Sequence, residues 1–285
     1  MLLHEYRSKV AGAFYGFCIG DAMGATTEFM DAQDIKSEYG EVNQIIGGGW
    51  LKLEPGQVTD DSQMMFCIID ALKEVGVGCH INKFKHAAAR QFEAWFATNP
   101  PDVGNTCADG IMYYYLAKHE YFLKHDDTKL GNGGLMRFLP LALLQMESWN
   151  IAQNDITHPS EVSARAIQTT HKVIWDYLMG SNPSDLPKCH QRPLGVCDNT
   201  LNNALLYQDE PNFRLAILKA VNDGGDADTI AAITGGLYGC KCGLSNIDTH
   251  WIAQLSLDVK KRIGDAVNTI CKLAEKVHPE WFTDN

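Results

Sequence analysis

Two short stretches concentrate oxygen donors. Thr59-Asp60-Asp61-Ser62 and Asp226-Ala227-Asp228-Thr229 each set two carboxylates beside a hydroxyl, and each leads into an apolar run. Carboxylates this close repel, and the positive end of a helix dipole partly relieves the repulsion. One reading of both stretches is therefore local. Thr59 or Asp60 caps a helix, with Gln63 completing a capping box, and Asp226 caps another. The other reading is chemical. Asp226 and Asp228 would diverge by about 200° on a regular helix, so they converge only where the backbone is not yet helical. Gly224 and Gly225 supply such a backbone. Oxygen donors without Cys or His suit a hard cation, Mg²⁺, Mn²⁺ or Ca²⁺, rather than Zn²⁺. If the two stretches meet, their four carboxylates need a compensating charge. One or two divalent ions would supply it, polarising bound oxygens and activating a water. Spacing alone leaves both readings open.

The elements that would position these residues are helical. Apolar residues recur at helical spacing in five segments: Met65, Ile68, Ile69, Leu72; Phe84, Ala88, Phe92, Trp95; Val162, Ala166, Val173, Tyr177; Phe213, Ala216, Ile217, Ala220; and Val259, Ile263, Ala266, Ile270. Pro159 and Pro211 stand near two of the starts. Strand-like alternation is scarce, and the run at Ile45–Ile46 is ambiguous. The expected fold is all-α. Loops are expected at 40–58, 98–106, 124–134 and 180–199, where Gly and Pro gather. The 180–199 stretch is the best candidate linker, but composition does not shift across it. A single domain over 1–285 with long functional loops is expected.

Composition narrows the function. The 285 residues are 45% hydrophobic and 21% charged, ordinary for a globular protein, with a formal net charge of −11. No Lys/Arg cluster occurs, which argues against a nucleic-acid backbone as partner. The nine cysteines include no CxxC and read as reduced, mostly buried thiols. Residues 1–10 lack a signal-peptide pattern, and no stretch of about 18 apolar residues exists, so a cytoplasmic protein without a membrane span is expected.

A longer ordered set of motifs then bears on identity. Gly20-Asp21-Ala22-Met23-Gly24 with Glu28, GGGWLKLEPGQVTDDS at 47–62, PDVGNT at 101–106, GNGGLMRFLP at 131–140, ITH at 156–158 and GGDADTIAAITGG at 224–236 follow one another. In that order they resemble the ADP-ribosylglycohydrolases, over about residues 11 to 240. The PDVGNT loop and the GGGW to TDD run are similar to the branch that frees arginine of ADP-ribose, typified by the dinitrogen reductase glycohydrolases.

The resemblance implies a compact orthogonal helical bundle around two divalent cations, Mg²⁺ or Mn²⁺. Thr59, Asp60, Asp61, Asp226, Asp228 and Thr229 would be their ligands. Asp102 would handle protons at the ribose during cleavage, and Glu28 would position water or close the pocket. Asn132, Gly133, Gly134 and Met136 match the loop that wraps ADP-ribose, and His158 matches a substrate-pocket histidine. Each has a plainer local reading: a turn residue for Asp102, a surface carboxylate for Glu28, a loop-to-helix cap for GNGG and for His158. Asp21 would orient a loop, and Arg137 would be structural. An ADP-ribosylated protein is the implied substrate, and a regulatory protein partner is admitted.

Four positions depart from the family pattern. Ser62 replaces Thr, Cys107-Ala108 replace Thr and Arg, and Val196 falls where relatives place an adenine-stacking Tyr. The expected activity is metal-dependent hydrolysis of an ADP-ribosyl bond, most readily to arginine. The alternatives are another ADP-ribose conjugate (serine-linked, nucleobase or small molecule) and a non-catalytic ADP-ribose-binding relative.

Overall fold

A computed structural model describes residues 1–184 and 186–282. Among the described residues there are thirteen α-helices and no β-strand. In chain order they are α1 (Leu3–Gly24), α2 (Ala32–Tyr39), α3 (Asp60–Val75), α4 (Ile81–Phe96), α5 (Asn105–Leu116), α6 (Leu139–Leu143) and α7 (Glu147–Asn154), then α8 (Glu161–Leu178), α9 (Cys197–Leu206), α10 (Phe213–Asn222), α11 (Ala227–Cys242), α12 (Thr249–Gln254) and α13 (Leu257–Val277). The five apolar stripes of the sequence lie on α3, α4, α8, α10 and α13. The ambiguous run at Ile45–Ile46 forms no strand.

Two helices form the centre. α1 and α11 are buried on nearly every side, and each carries a small residue every fourth position. On α1 these are Gly12, Gly16, Gly20 and Gly24; on α11 they are Ala227, Ala231, Gly235 and Gly239. The two rows face each other antiparallel. A methyl on Gly16 would lie 2.2 Å from the Gly235 carbonyl oxygen, one on Gly20 2.0 Å from that of Ala231, and one on Gly24 2.4 Å from that of Ala227. The backbones touch because no side chain stands between them. The C-terminal end of α1 therefore arrives beside the first turn of α11. Phe14, Phe17, Ile19, Ile230 and Ile233 fill the flanks.

α3 is fixed to this pair by one buried carboxylate. Asp21, on α1, accepts the backbone N–H of Thr59 through Oδ1 at 2.9 Å and that of Ser62 through Oδ2 at 3.1 Å. Thr59 is the N-cap of α3, its Oγ1 accepting from the Asp61 N–H at 3.3 Å. Two otherwise orphaned donors of the first turn thus point at a charge on the neighbouring helix. All nine cysteines are free thiols, and six of them are buried. No helix among the described residues is long and apolar enough to cross a membrane.

Candidate active site

The starts of α3 and α11 converge on one cavity of about 340 Å³. Its lining includes Glu28, Asp60, Asp61, Asp102, Asp226 and Asp228, together with Thr229. The turn after α1 contributes Glu28, and the loop between α4 and α5 contributes Asp102. No lysine or arginine lines the cavity among the described residues.

Gly224 and Gly225 give α11 its entry. Both hold positive φ, +72° and +67°, which costs an L side chain and is free for glycine. The Gly225 N–H donates to the Met30 carbonyl at 2.8 Å, and its own carbonyl accepts from the Phe29 N–H at 2.7 Å. This clamp ties the α11 start to the turn that carries Glu28. Asp226 occupies the N-cap position but makes no capping bond. Its Oδ2 instead accepts from Asn132 Nδ2 at 2.8 Å and Thr200 Oγ1 at 3.0 Å.

So many carboxylates out of water raise one another's proton affinity. Burial comes first in each case. It pushes Glu28 up to about 8, helped by Asp102, Asp226 and Asp21 against the lowering effect of the Trp50 N–H. Asp226 is pushed to about 7 and Asp21 to about 6, both by burial against hydrogen bonds that lower them. Asp60, Asp61 and Asp228 are raised well above the usual carboxylate range by burial and by neighbouring carboxylates. Asp102 is raised by burial, and its charge is among those that raise Asp60. Asp61 Oδ2 is buried without a hydrogen-bond partner. Oxygens of Glu28, Asp102 and Asp228 lie within 4.8 Å of one another, so carboxylates from three separate segments crowd one small volume. The donor set is all oxygen, and the orphaned Asp61 atom is what a cation would satisfy. The residues present therefore fit divalent metal.

Two of the residues singled out in the sequence stand outside the lining. Thr59 caps α3 behind it, and Gly134 faces away, a methyl there falling 1.7 Å from Asn154 Oδ1. Gly133, Met136 and His158 also line the cavity, and Asn132 joins them with its amide donating to Asp226. Gly133 is a steric requirement: a methyl would sit 2.5 Å from Cys107 Sγ and 2.7 Å from His158 Cε1. Gly133→Ala is expected to destabilise the fold by roughly 1–3 kcal/mol, the cost of overpacking of this size, and to displace the His158 ring from its place in the cavity wall. Steady-state kinetics alongside a thermal melt checks it.

Sequence reasoning missed the rim. Phe29 is 69% exposed with φ +65°, and its ring meets that of Trp50 at 5.4 Å between centroids. Trp50 Nε1 donates to Glu28 Oε2 at 2.6 Å. The tryptophan lay within the quoted GGGW motif, so its presence was visible but its partner was not. Thr200 carried no local signal. Val196 pairs its backbone with Gly131 at the rim, and its exposed side chain puts no aromatic ring there.

Comparison with known proteins agrees with this geometry. The chain matches the ADP-ribosylglycohydrolase family over residues 3–183 and 188–284. It is 31% identical, over 289 aligned positions, to the ADP-ribosyl-[dinitrogen reductase] glycohydrolase of Rhodospirillum rubrum, covering 93% of this chain and 96% of that one. It is 27% identical to the ADP-ribosylarginine hydrolase Tri1 of Serratia proteamaculans, covering 88% of this chain and 76% of that one. Among solved structures, an ADP-ribosylglycohydrolase-related protein complex shares the fold with a TM-score of 0.79 at 24% identity, covering 95% of this chain and 99% of that one. With matches on both sides of the 184–187 gap and the motifs gathered at one cavity, the chain belongs to the ADP-ribosylglycohydrolase family.

Proposed function

We propose that the protein hydrolyses the bond between ADP-ribose and a modified protein side chain, arginine foremost, at a site holding two Mg²⁺ or Mn²⁺ ions. The observation that carries this reading is the convergence of six carboxylates, with no lysine or arginine among the described lining residues, on a cavity also lined by the Gly131–Gly133 loop. Cations held by these carboxylates would remove the repulsion that an anionic diphosphate ligand otherwise meets there. The names of the relatives from Rhodospirillum and Serratia favour arginine as the linked residue.

Asp60, Asp61, Asp226, Asp228 and Thr229 would hold the ions from the cavity side, with Thr59 behind them. Bound there, the ions would grip the ribose hydroxyls and lower the pKa of a water. The rest of the work falls to the chain. Asn132 and Thr200 hold Asp226 in one orientation. Asp102, on the loop facing Asp60, would be the acid–base group. Water oxygen bonds to the ribose anomeric carbon as the carbon–nitrogen bond breaks. The proton lost by water and the proton gained by the departing guanidine nitrogen balance. Glu28, held by Trp50, would close the cavity mouth over the ligand.

Linkage is tested by release of ADP-ribose from arginine-linked and serine-linked peptides in parallel. Faster release from the arginine peptide is expected, and release from the serine peptide alone would overturn the arginine assignment. Metal binding has its own readout. At one hundred times its Kd, each bound Mn²⁺ is expected to add about 2.7 kcal/mol to the unfolding free energy. An unchanged melting temperature would count against the metal site whatever the activity.

A further inference from the structure

Arg137 is completely buried, and among the described residues no carboxylate forms an ion pair with it, Asp60 acting on it only from a distance. Its Nε donates to Gln153 Oε1 at 2.5 Å. Its Nη2 donates to the Gln153 carbonyl at 3.1 Å and to Thr157 Oγ1 at 2.7 Å. Its Nη1 reaches only sulfur, Met64 Sδ at 3.8 Å and Cys107 Sγ at 3.7 Å, and the guanidinium lies over the Phe92 ring at 4.4 Å. A buried cation without a contacting counter-ion is expensive, so its presence asks for a reason beyond packing.

The reason lies one bond further on. A guanidinium only donates, so Thr157 Oγ1 accepts from Arg137. That hydroxyl has one hydrogen of its own to give, and His158 Nδ1 lies 2.8 Å away. The competing acceptor is the Cys107 thiol, which also faces Thr157 and accepts weakly. The hydrogen therefore goes to Nδ1, and the ring proton stands on Nε2. Burial, with Arg137 and Lys129 nearby, pushes the His158 pKa down to about 3 and keeps the ring neutral. Nε2 has no protein partner among the described residues. It faces the Gly131 backbone, where a methyl would come within 3.0 Å of it, and the ring lines the cavity.

We infer that Arg137 and Thr157 are positioning residues that lock His158 in its Nε2–H tautomer, with that N–H directed into the cavity as a fixed neutral donor. A neutral donor can meet a ligand oxygen without being captured by the carboxylates that line the same cavity, as an imidazolium would be. That the oxygen belongs to ADP-ribose rests on the proposed function; the tautomer does not.

Long-range proton–nitrogen NMR correlations on the full-length protein at neutral pH read the tautomer directly, with His158→Asn supplying the assignment. The expected signal is a protonated Nε2 and a bare Nδ1. A protonated Nδ1 would overturn the inference. Thr157→Ser keeps the hydroxyl and should keep both the signal and the ADP-ribose affinity. Thr157→Val removes it, and the Nδ1–H form should become populated, with ADP-ribose binding about tenfold weaker in the Mn²⁺-loaded protein. A Val variant that folds and retains the wild-type tautomer would also overturn it. If the wild type shows the Nε2–H signal but binds no ADP-ribose, the ligand assignment falls while the lock stands.

Discussion

Asp60→Asn and Asp228→Asn are each expected to lower turnover by roughly a thousandfold or more, the scale seen when one preorganised charge-stabilising group is removed. The same substitutions should raise the melting temperature of the metal-free protein. Both carboxylates are raised well above their usual range by burial and by their neighbours, so replacing either with a neutral amide relieves repulsion. The two effects have opposite signs, and that is the useful feature. A variant that merely misfolds loses activity and stability together. A ligand variant loses activity and the Mn²⁺-induced gain in stability, yet melts higher without metal. Thermal melts with and without Mn²⁺, run beside the activity assay, separate the cases. Normal turnover in both variants would remove these aspartates from the mechanism.

Gly20→Ala should be among the most damaging single-methyl changes in the protein. On helix propensity alone, Gly to Ala in a helix interior stabilises by about 1 kcal/mol. Here the methyl would lie 2.0 Å from the Ala231 carbonyl oxygen and 2.3 Å from its carbon, backbone against backbone with no rotamer to turn aside. A net loss of roughly 3 kcal/mol is expected, lowering the melting temperature by about 6–12 °C for a chain of this size. Gly264→Ala is the control. That glycine lies on the exposed side of α13 with nothing within 4 Å of the added methyl, so the propensity term acts alone and stability should rise. Because Asp21 follows Gly20 and holds the α3 start, Gly20→Ala should also weaken Mn²⁺ binding. A Gly20→Ala protein as stable as the wild type would refute the close α1–α11 contact.

How much of this was legible in the sequence depended on whether the relevant signal was local. The stripes on α3, α4, α8, α10 and α13 were readable because each of these helices has one face in the core and one in water. α1 and α11, the two that organise the molecule, carry no such stripe, since they are buried all round. Their glycine and alanine rows were visible, but the pairing of Gly20 with Ala231 spans more than two hundred residues and no local pattern predicts it. The aspartate quartets were readable as residue types. Each stretch by itself was equally a helix cap, and Thr59 does cap α3. Only the ordered motif set pointed to their meeting. The support around them was not readable: Thr200 and Asn132 on Asp226, Trp50 on Glu28, and the exposed Phe29 at positive φ all depend on loops brought together by the fold. Arg137 looked structural from its helix-like context, and its lack of a carboxylate partner became apparent only with its neighbours in place.

The measurement that tests the central claim most directly is release of free ADP-ribose from an arginine-ADP-ribosylated protein, with Mn²⁺ and with EDTA. Release with Mn²⁺ that stops with EDTA, and returns when excess Mn²⁺ is restored, is the predicted result. Undiminished release in EDTA, or none from the protein after Mn²⁺ binding has been verified, would contradict a metal-dependent ADP-ribosylarginine hydrolase.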